Sequence, residues 1–263
     1  MYFLILVPTA LFGLIIGSFL NCVAWRLHEN STILGRSYCR ACHALIRWFD
    51  NVPLLSFLAL RGRCRNCRSS ISWQYPAVEA VTALLFALAA WHISLGFGPM
   101  ENWEWPAYVY LLRNLIFISA LILTFLTDIR HYEIYDIAVL PAVVLVVALN
   151  LILGESWLGM LISGTIGGGF FLLQYIISRG RWIGSGDSRL GLLLGLGLGW
   201  PLVLPAIFIA YLIGAVTGVG LLTAGKKEWG SKLPLGTFLA VAGIITLFYG
   251  QSLLDWYLRF THL

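Results

Sequence analysis

Gly184-Ser185-Gly186-Asp187-Ser188-Arg189 runs directly into LGLLLGLGLGWPLVL, residues 190–204, so a polar turn meets a segment that reads as a membrane helix. A carboxylate at the mouth of such a helix is costly and marks a functional residue by default. The glycines let the backbone turn sharply and approach another chain closely. Taken alone, Asp187 also fits a plain N-cap for the helix that follows. A second carboxylate shifts that balance. Asp128 stands in Thr127-Asp128-Ile129-Arg130, at the end of another apolar run. Two such aspartates at one membrane face suit an acid–base pair.

The rest of the 263-residue chain agrees with a membrane reading. It is 59% hydrophobic and 11% charged, with a mean hydropathy of +0.85. A soluble domain cannot bury that much apolar surface, so the expected class is an all-α polytopic membrane protein. The net charge of +5 sits mainly in loops, where the inside-positive rule accounts for it without a nucleic-acid partner. The apolar stretch 2–24 lacks a basic leader and a small-residue cleavage site, and is expected to stay as a transmembrane helix.

Residues 26–73 form the one substantial polar segment. It carries eight arginines (26, 36, 40, 47, 61, 63, 65 and 68) against Glu29 and Asp50. That asymmetry places it in the cytosol and the N-terminus outside. Within it lie Cys39-x2-Cys42 and Cys64-x2-Cys67, 21 residues apart. Paired C-x-x-C knuckles at this spacing predict a four-thiolate structural zinc site. Cytosolic thiols stay reduced, which disfavours two disulfides. A segment this short has little core, so the metal would supply folding energy. His43 is surplus to the four ligands and reads as a surface residue, and Cys22 is left over in the first helix.

Eight transmembrane helices follow from the apolar runs. The first covers about 3–23 and ends in Gly17-Ser18-Phe19-Leu20-Asn21, small residues and an amide suited to close packing. The second covers about 76–95, with Glu79 in its first turn, where the helix dipole favours an acid. An outer loop holds Glu101, Glu104 and the interfacial aromatics Trp103, Trp105 and Tyr108. The third, about 107–127, delivers Asp128. Asp136 is expected to cap the fourth. The fifth, about 157–177, offers Ser163, Gly164, Gly167 and Gly168 to Gly191, Gly195 and Gly199 of the sixth, a pattern for close helix approach. The seventh covers about 202–223 and the eighth about 233–251. The chain thus divides into a first helix (1–25), a cytosolic four-cysteine zinc segment (26–75), a second helix with its outer loop (76–106) and a six-helix membrane domain (107–263). Fifteen of seventeen Lys and Arg then face the cytosol; Arg113 and Arg259 are the exceptions.

Two carboxyls brought close cannot both ionise easily. The charged one can take a proton from water attacking a peptide carbonyl, while the protonated one polarises that carbonyl and helps the amine leave.

The motifs GSFLN (17–21), RSYCRACHALIRWFDNVPLLSFLALRGRCRNC (36–67), QYPAVE (74–79), the Asp128/Asp136 spacing and GSGD (184–187) together resemble the bacterial type IV prepilin peptidases. The double C-x-x-C with the intervening WFDNVPLLS text is highly specific. The resemblance implies a membrane aspartyl protease of the bacterial inner membrane, with its active site at the cytosolic face and both termini outside. Its substrates would be type IV prepilins or pseudopilins, cleaved after a short basic leader. Asp128 and Asp187 would be the catalytic pair, and Cys39, Cys42, Cys64 and Cys67 the zinc ligands. The resemblance also implies N-methylation of the new terminus with S-adenosylmethionine. Gly62 and Arg63, just before Cys64, and Glu79 are the candidate cofactor contacts. No glycine-rich cofactor fingerprint is present.

Some positions depart from the usual pattern of that family: Ile134-Tyr135-Asp136 stands where a proline-aspartate string is common, Arg189 where a lysine is common, and Pro234-Leu235-Gly236-Thr237-Phe238 where a proline-richer string is common. Two other functions fit parts of the sequence. A protease without methyl transfer keeps the aspartates. A proton-coupled transporter would use them as a relay, but both lie at one face and no inverted repeat is visible. A zinc-bearing scaffold leaves the aspartate pair unexplained.

Overall fold

The computed structural model describes residues 2–228 and 230–261. Those residues contain no β-strand; nine α-helices carry the fold, with isolated bridges only at Tyr38–Leu45 and Arg63–Ser70. Six helices are long and apolar enough to cross a membrane: α1 (Phe3–His28), α3 (Gln74–Phe97), α4 (Trp105–His131), α6 (Trp157–Ser178), α8 (Val203–Thr223) and α9 (Leu235–Thr261). α5 (Asp136–Ile152) and α7 (Ser185–Leu198) are shorter, and α2 (Leu55–Ala59) is a single turn. Side chains such as Phe3, Ile15, Phe208 and Val216 are more than half exposed on these apolar helices. Exposed apolar area on that scale belongs in lipid. The protein is therefore a multi-pass membrane protein. The chain forms two compact units, Met1–Leu111 and Leu112–Leu263.

In the first unit α1 packs along α3. The approach is close because Gly13 and Gly17 face the backbone of α3. A Cβ on Gly13 would fall 2.6 Å from the Cα of Ala83, and one on Gly17 2.8 Å from the Cα of Glu79. Asn21 serves this packing. Its amide nitrogen donates to the carbonyls of Gly17 (3.2 Å) and Tyr75 (3.4 Å), and its oxygen accepts from Gln74 (3.2 Å). Arg26 is buried near the end of α1, where its guanidinium donates to the carbonyls of Ile33, Gly35 and Arg36. One charged side chain thereby ties down the start of the cysteine segment.

In the second unit the core consists of Phe117, Leu121, Val139, Val146, Phe171, Leu190, Leu193, Leu194 and Leu239, all essentially sealed from solvent. α6 and α7 cross at backbone contact. Gly167 faces the Gly191 carbonyl, and Gly195 faces Ser163 and Gly164. Gly199 lies outside this face; its φ of +76° ends α7. α8 packs on α9. Asn150 links α4, α5 and α7, accepting from Arg113 (3.1 Å) and donating to the Leu196 carbonyl (2.9 Å).

Helix ends differ from the apolar pattern. α4 continues through Asp128 to His131, and α9 runs ten residues beyond 251 to Thr261. Hydropathy marks the bilayer-facing run, whereas backbone hydrogen bonding carries a helix on into polar sequence. Asp136 is not the cap of α5: Tyr135 holds that position, and the Asp136 carboxylate pairs instead with Arg189.

Candidate functional sites

The four cysteines gather in the first unit. Their sulfurs all lie within 4.8 Å of one another, and Cys39 and Cys67 are 3.8 Å apart. A tetrahedral zinc with bonds of about 2.3 Å has sulfur–sulfur edges of about 3.8 Å, so the set fits the metal. Two knuckles with matching hydrogen bonds build it. Cys39 N–H donates to the Ala44 carbonyl and Cys64 N–H to the Ser69 carbonyl, each at 2.9 Å. His43 N–H returns to Cys39, and Arg68 N–H to Cys64. The residues that close these turns, His43 and Arg68, take positive φ values of 55° and 59°. Burial pushes the Cys39 thiol up, but the backbone N–H groups of Cys42 and Ala41 and the hydroxyl of Ser69 outweigh it and bring it down to about 6. The Ser69 hydroxyl and N–H likewise lower Cys67. Cys42 moves the other way: the Ala44 N–H lowers it, but burial and the Cys67 and Cys39 sulfurs outweigh that and push it up, so the surroundings favour the metal-binding thiolate at Cys39 and Cys67. His43 is exposed and stacks on Tyr38 with centroids 5.7 Å apart.

Beside the knuckles, still within the first unit, lies a cavity of about 1130 Å³. Its wall includes Trp25, Arg26, Tyr38, Arg40, Tyr75 and Glu79. The Arg40 guanidinium stands over Trp25 (4.8 Å) and Tyr75 (5.4 Å). Asp50 binds Arg65 through two hydrogen bonds of 2.8 and 2.7 Å, and this contact holds its carboxyl below the usual range. Glu79 is buried. Its Oε2 accepts from the N–H of Leu54 at 2.8 Å. Leu54 has φ 58° and ψ −51°, a strained three-residue turn closed by Leu55 N–H to Pro53 O at 2.6 Å. Glu79 thus holds a tight turn, a partner that its place in a first helical turn did not suggest. Gly62 and Arg63 do not line the cavity. Gly62, at φ +66°, backs onto the ring of Phe57, which does.

The two aspartates belong to the second unit and come together there. Asp128 lies three residues before the end of α4, and Asp187 is the third residue of α7; both are buried. Their carboxyls are within electrostatic reach of each other. Ile134 touches both neighbourhoods. A Cβ on Gly186 would fall 2.7 Å from the Cβ of Ile134, and one on Gly236 2.8 Å from its Cδ1 and 3.1 Å from the Asp128 carboxyl. The two glycines let α7 and α9 close on this corner. Asp187 accepts from the N–H of Gly184 at 2.8 Å, so the third residue of α7 reaches back to the residue that precedes the helix. Asp128 accepts from the N–H of Thr237 at 2.7 Å and from its hydroxyl at 3.0 Å. Sequence reasoning had no signal for that contact, since 109 residues separate the partners. Only the departure at 234–238 marked the segment.

Comparison with known proteins gives the family of the chain. Residues 115–219 match the type IV leader peptidase family, and residues 11–93 match the bacterial peptidase A24 N-terminal domain. A prepilin leader peptidase/N-methyltransferase of Pseudomonas aeruginosa is 32% identical, over 96% of this chain and 93% of its own. The protein of that name from Bacillus subtilis is 32% identical over 95% and 96%, and that from Legionella pneumophila 29% over 95% and 93%. No solved structure matches. The chain belongs to the type IV leader peptidase family.

Proposed function

We propose that this protein cleaves the leader from type IV prepilins or pseudopilins with Asp128 and Asp187 as its catalytic pair, and N-methylates the new terminus. Family membership supports the reaction class. The observation that carries the residue assignment is the meeting of two buried carboxyls from α4 and α7 in one corner of the second unit. Two aspartates that share one proton supply both halves of peptide hydrolysis. Water adds its oxygen to the scissile carbonyl carbon and gives a proton to the ionised aspartate. The protonated aspartate gives its proton to the carbonyl oxygen. The C–N bond then breaks, the amine takes up a proton, and one aspartate is left protonated as before.

Eight spans with both termini outside complete the reading, with α5 and α7 as the short members. Inside-positive loops place the aspartate ends of α4 and α7 at the cytosolic face of the bacterial inner membrane. A prepilin has a basic leader in the cytosol and an apolar helix in the bilayer, so its scissile bond lies at that depth. Zinc fits the Cys39, Cys42, Cys64 and Cys67 set as a structural ion. The cavity beside it is large enough for S-adenosylmethionine. Glu79, on its wall, offers a carboxylate for the cofactor's ammonium group, and Gly62 stands one layer behind, against Phe57, with Arg63 next to it in the chain. When bound, the cofactor supplies the methyl group that the neutral amine accepts with loss of a proton. Incubating purified protein with a prepilin tests the assignment. Wild type cleaves; Asp128→Asn and Asp187→Asn, which keep shape but lose the titratable proton, do not. Cleavage by either variant at the wild-type rate would overturn the pair.

A further inference from the structure

We infer that Thr237 is a positioning residue for Asp128, which holds one oxygen of the carboxyl and so fixes how the group is turned towards the reaction. The inference rests on the aspartate pair proposed above. Thr237 is the third residue of α9, so its N–H is among the first-turn donors that have no partner within their own helix. The structure points that donor at Oδ2 of Asp128 at 2.7 Å, and the Thr237 hydroxyl reaches the same oxygen at 3.0 Å. Both residues are 5% exposed, so water does not compete for these bonds. Two anchors on one oxygen fix how the carboxyl is turned, and Oδ2 is the oxygen that α9 holds. Gly236 makes the approach possible, since any side chain there would press on the carboxyl.

The two aspartates are held differently. Asp187 is set by the backbone of its own turn, through Gly184 three residues away. Asp128 lies near the C-terminal end of α4, where the helix supplies carbonyls and no free N–H. Its positioning must come from elsewhere in the chain, and α9 provides it. Helix α9 thus contributes to the site although it carries neither aspartate.

Thr237→Val keeps size and β-branching but removes the hydroxyl; Thr237→Ser keeps the hydroxyl. Steady-state cleavage of a purified prepilin is measured for both, beside wild type and Asp128→Asn, with zinc content and thermal unfolding as folding controls. Thr237→Val is expected to lower kcat about tenfold or more, the weight of one hydrogen bond to an ionised group. KM stays within about twofold, because the substrate does not bind this oxygen. Thr237→Ser returns kcat to within about threefold of wild type. Undiminished kcat in Thr237→Val would overturn the inference. So would a loss confined to KM, or one that Thr237→Ser does not restore. If Asp128→Asn itself cleaves at the wild-type rate, the aspartate pair fails. If Asp128→Asn is inactive and Thr237→Val is not, only the role of Thr237 fails.

Discussion

Substituting alanine for Gly195 should damage cleavage without touching the aspartates, because it forces α6 and α7 apart. A Cβ on Gly195 would run into the carbonyl oxygen of Ser163, its nearest obstacle, and would sit 2.7 Å from the carbonyl carbon of Ser163 and 3.0 Å from the Cα of Gly164. Ordinary contact begins near 3.4 Å. The obstacle is backbone, which cannot rotate away, so α7 must retreat by more than about 1 Å, with an overpacking cost of about 1–3 kcal/mol. Asp187 rides on the same helix, about 12 Å along its axis from Gly195. A misplacement of about 1 Å is worth about a hundredfold in rate, so the expected loss is about a hundredfold or more. Gly168→Ala is the matched control on the same crossing. Its Cβ would meet the Cβ of Leu192 at 3.1 Å and the Ser188 carbonyl at 3.2 Å. That shortfall of about 0.3 Å predicts only about a fourfold loss. Initial rates of prepilin cleavage by enzyme in liposomes make the comparison. Equal rates for Gly195→Ala and Gly168→Ala would refute the claim that backbone contact at this crossing places Asp187.

Three further outcomes follow from the first unit. Cys39→Ser or Cys64→Ser should reduce zinc from one ion per chain to a trace by metal analysis, and open residues 26–73 to proteolysis, since the metal stands in for a core. The ion pair between Asp50 and Arg65 should make stability depend on acid. Arg65 holds the Asp50 carboxyl below its ordinary value of 3.8, so the contribution is complete above that pH and fades as pH falls through the lower, folded-state value. Unfolding curves of wild type and Asp50→Asn should accordingly differ at neutral pH and begin to converge only as the pH falls below about 3.8; a constant gap down through the folded-state value would contradict the pairing. Gly62→Val or Arg63→Ala should impair methylation and spare cleavage, read by mass spectrometry of the mature pilin; parallel loss of both activities would remove these residues from the cofactor's surroundings.

The sequence alone determined the class of this protein and the identity of its candidate groups. Hydropathy made it a membrane protein, because an apolar run has one stable environment whatever its neighbours. The cysteine spacing was readable because each knuckle is closed by residues three apart and needs little from the rest of the chain. Asp187 was readable for a similar reason, since its carboxylate is held by the N–H of Gly184, three residues back. What the tertiary structure decided was every partnership across long separations. Asp136 turned from a helix cap into the ion-pair partner of Arg189, 53 residues on. Glu79 turned from a dipole-stabilising acid into the acceptor that holds Leu54 in a strained turn. Asp128 acquired two donors from α9, a helix whose sequence was marked only by the departure at 234–238. Periodicity and spacing report what a residue meets within a turn or two. Which distant N–H reaches a buried carboxylate depends on how closely helices approach, and glycines such as Gly17, Gly195 and Gly236 set that distance only once the helices have packed.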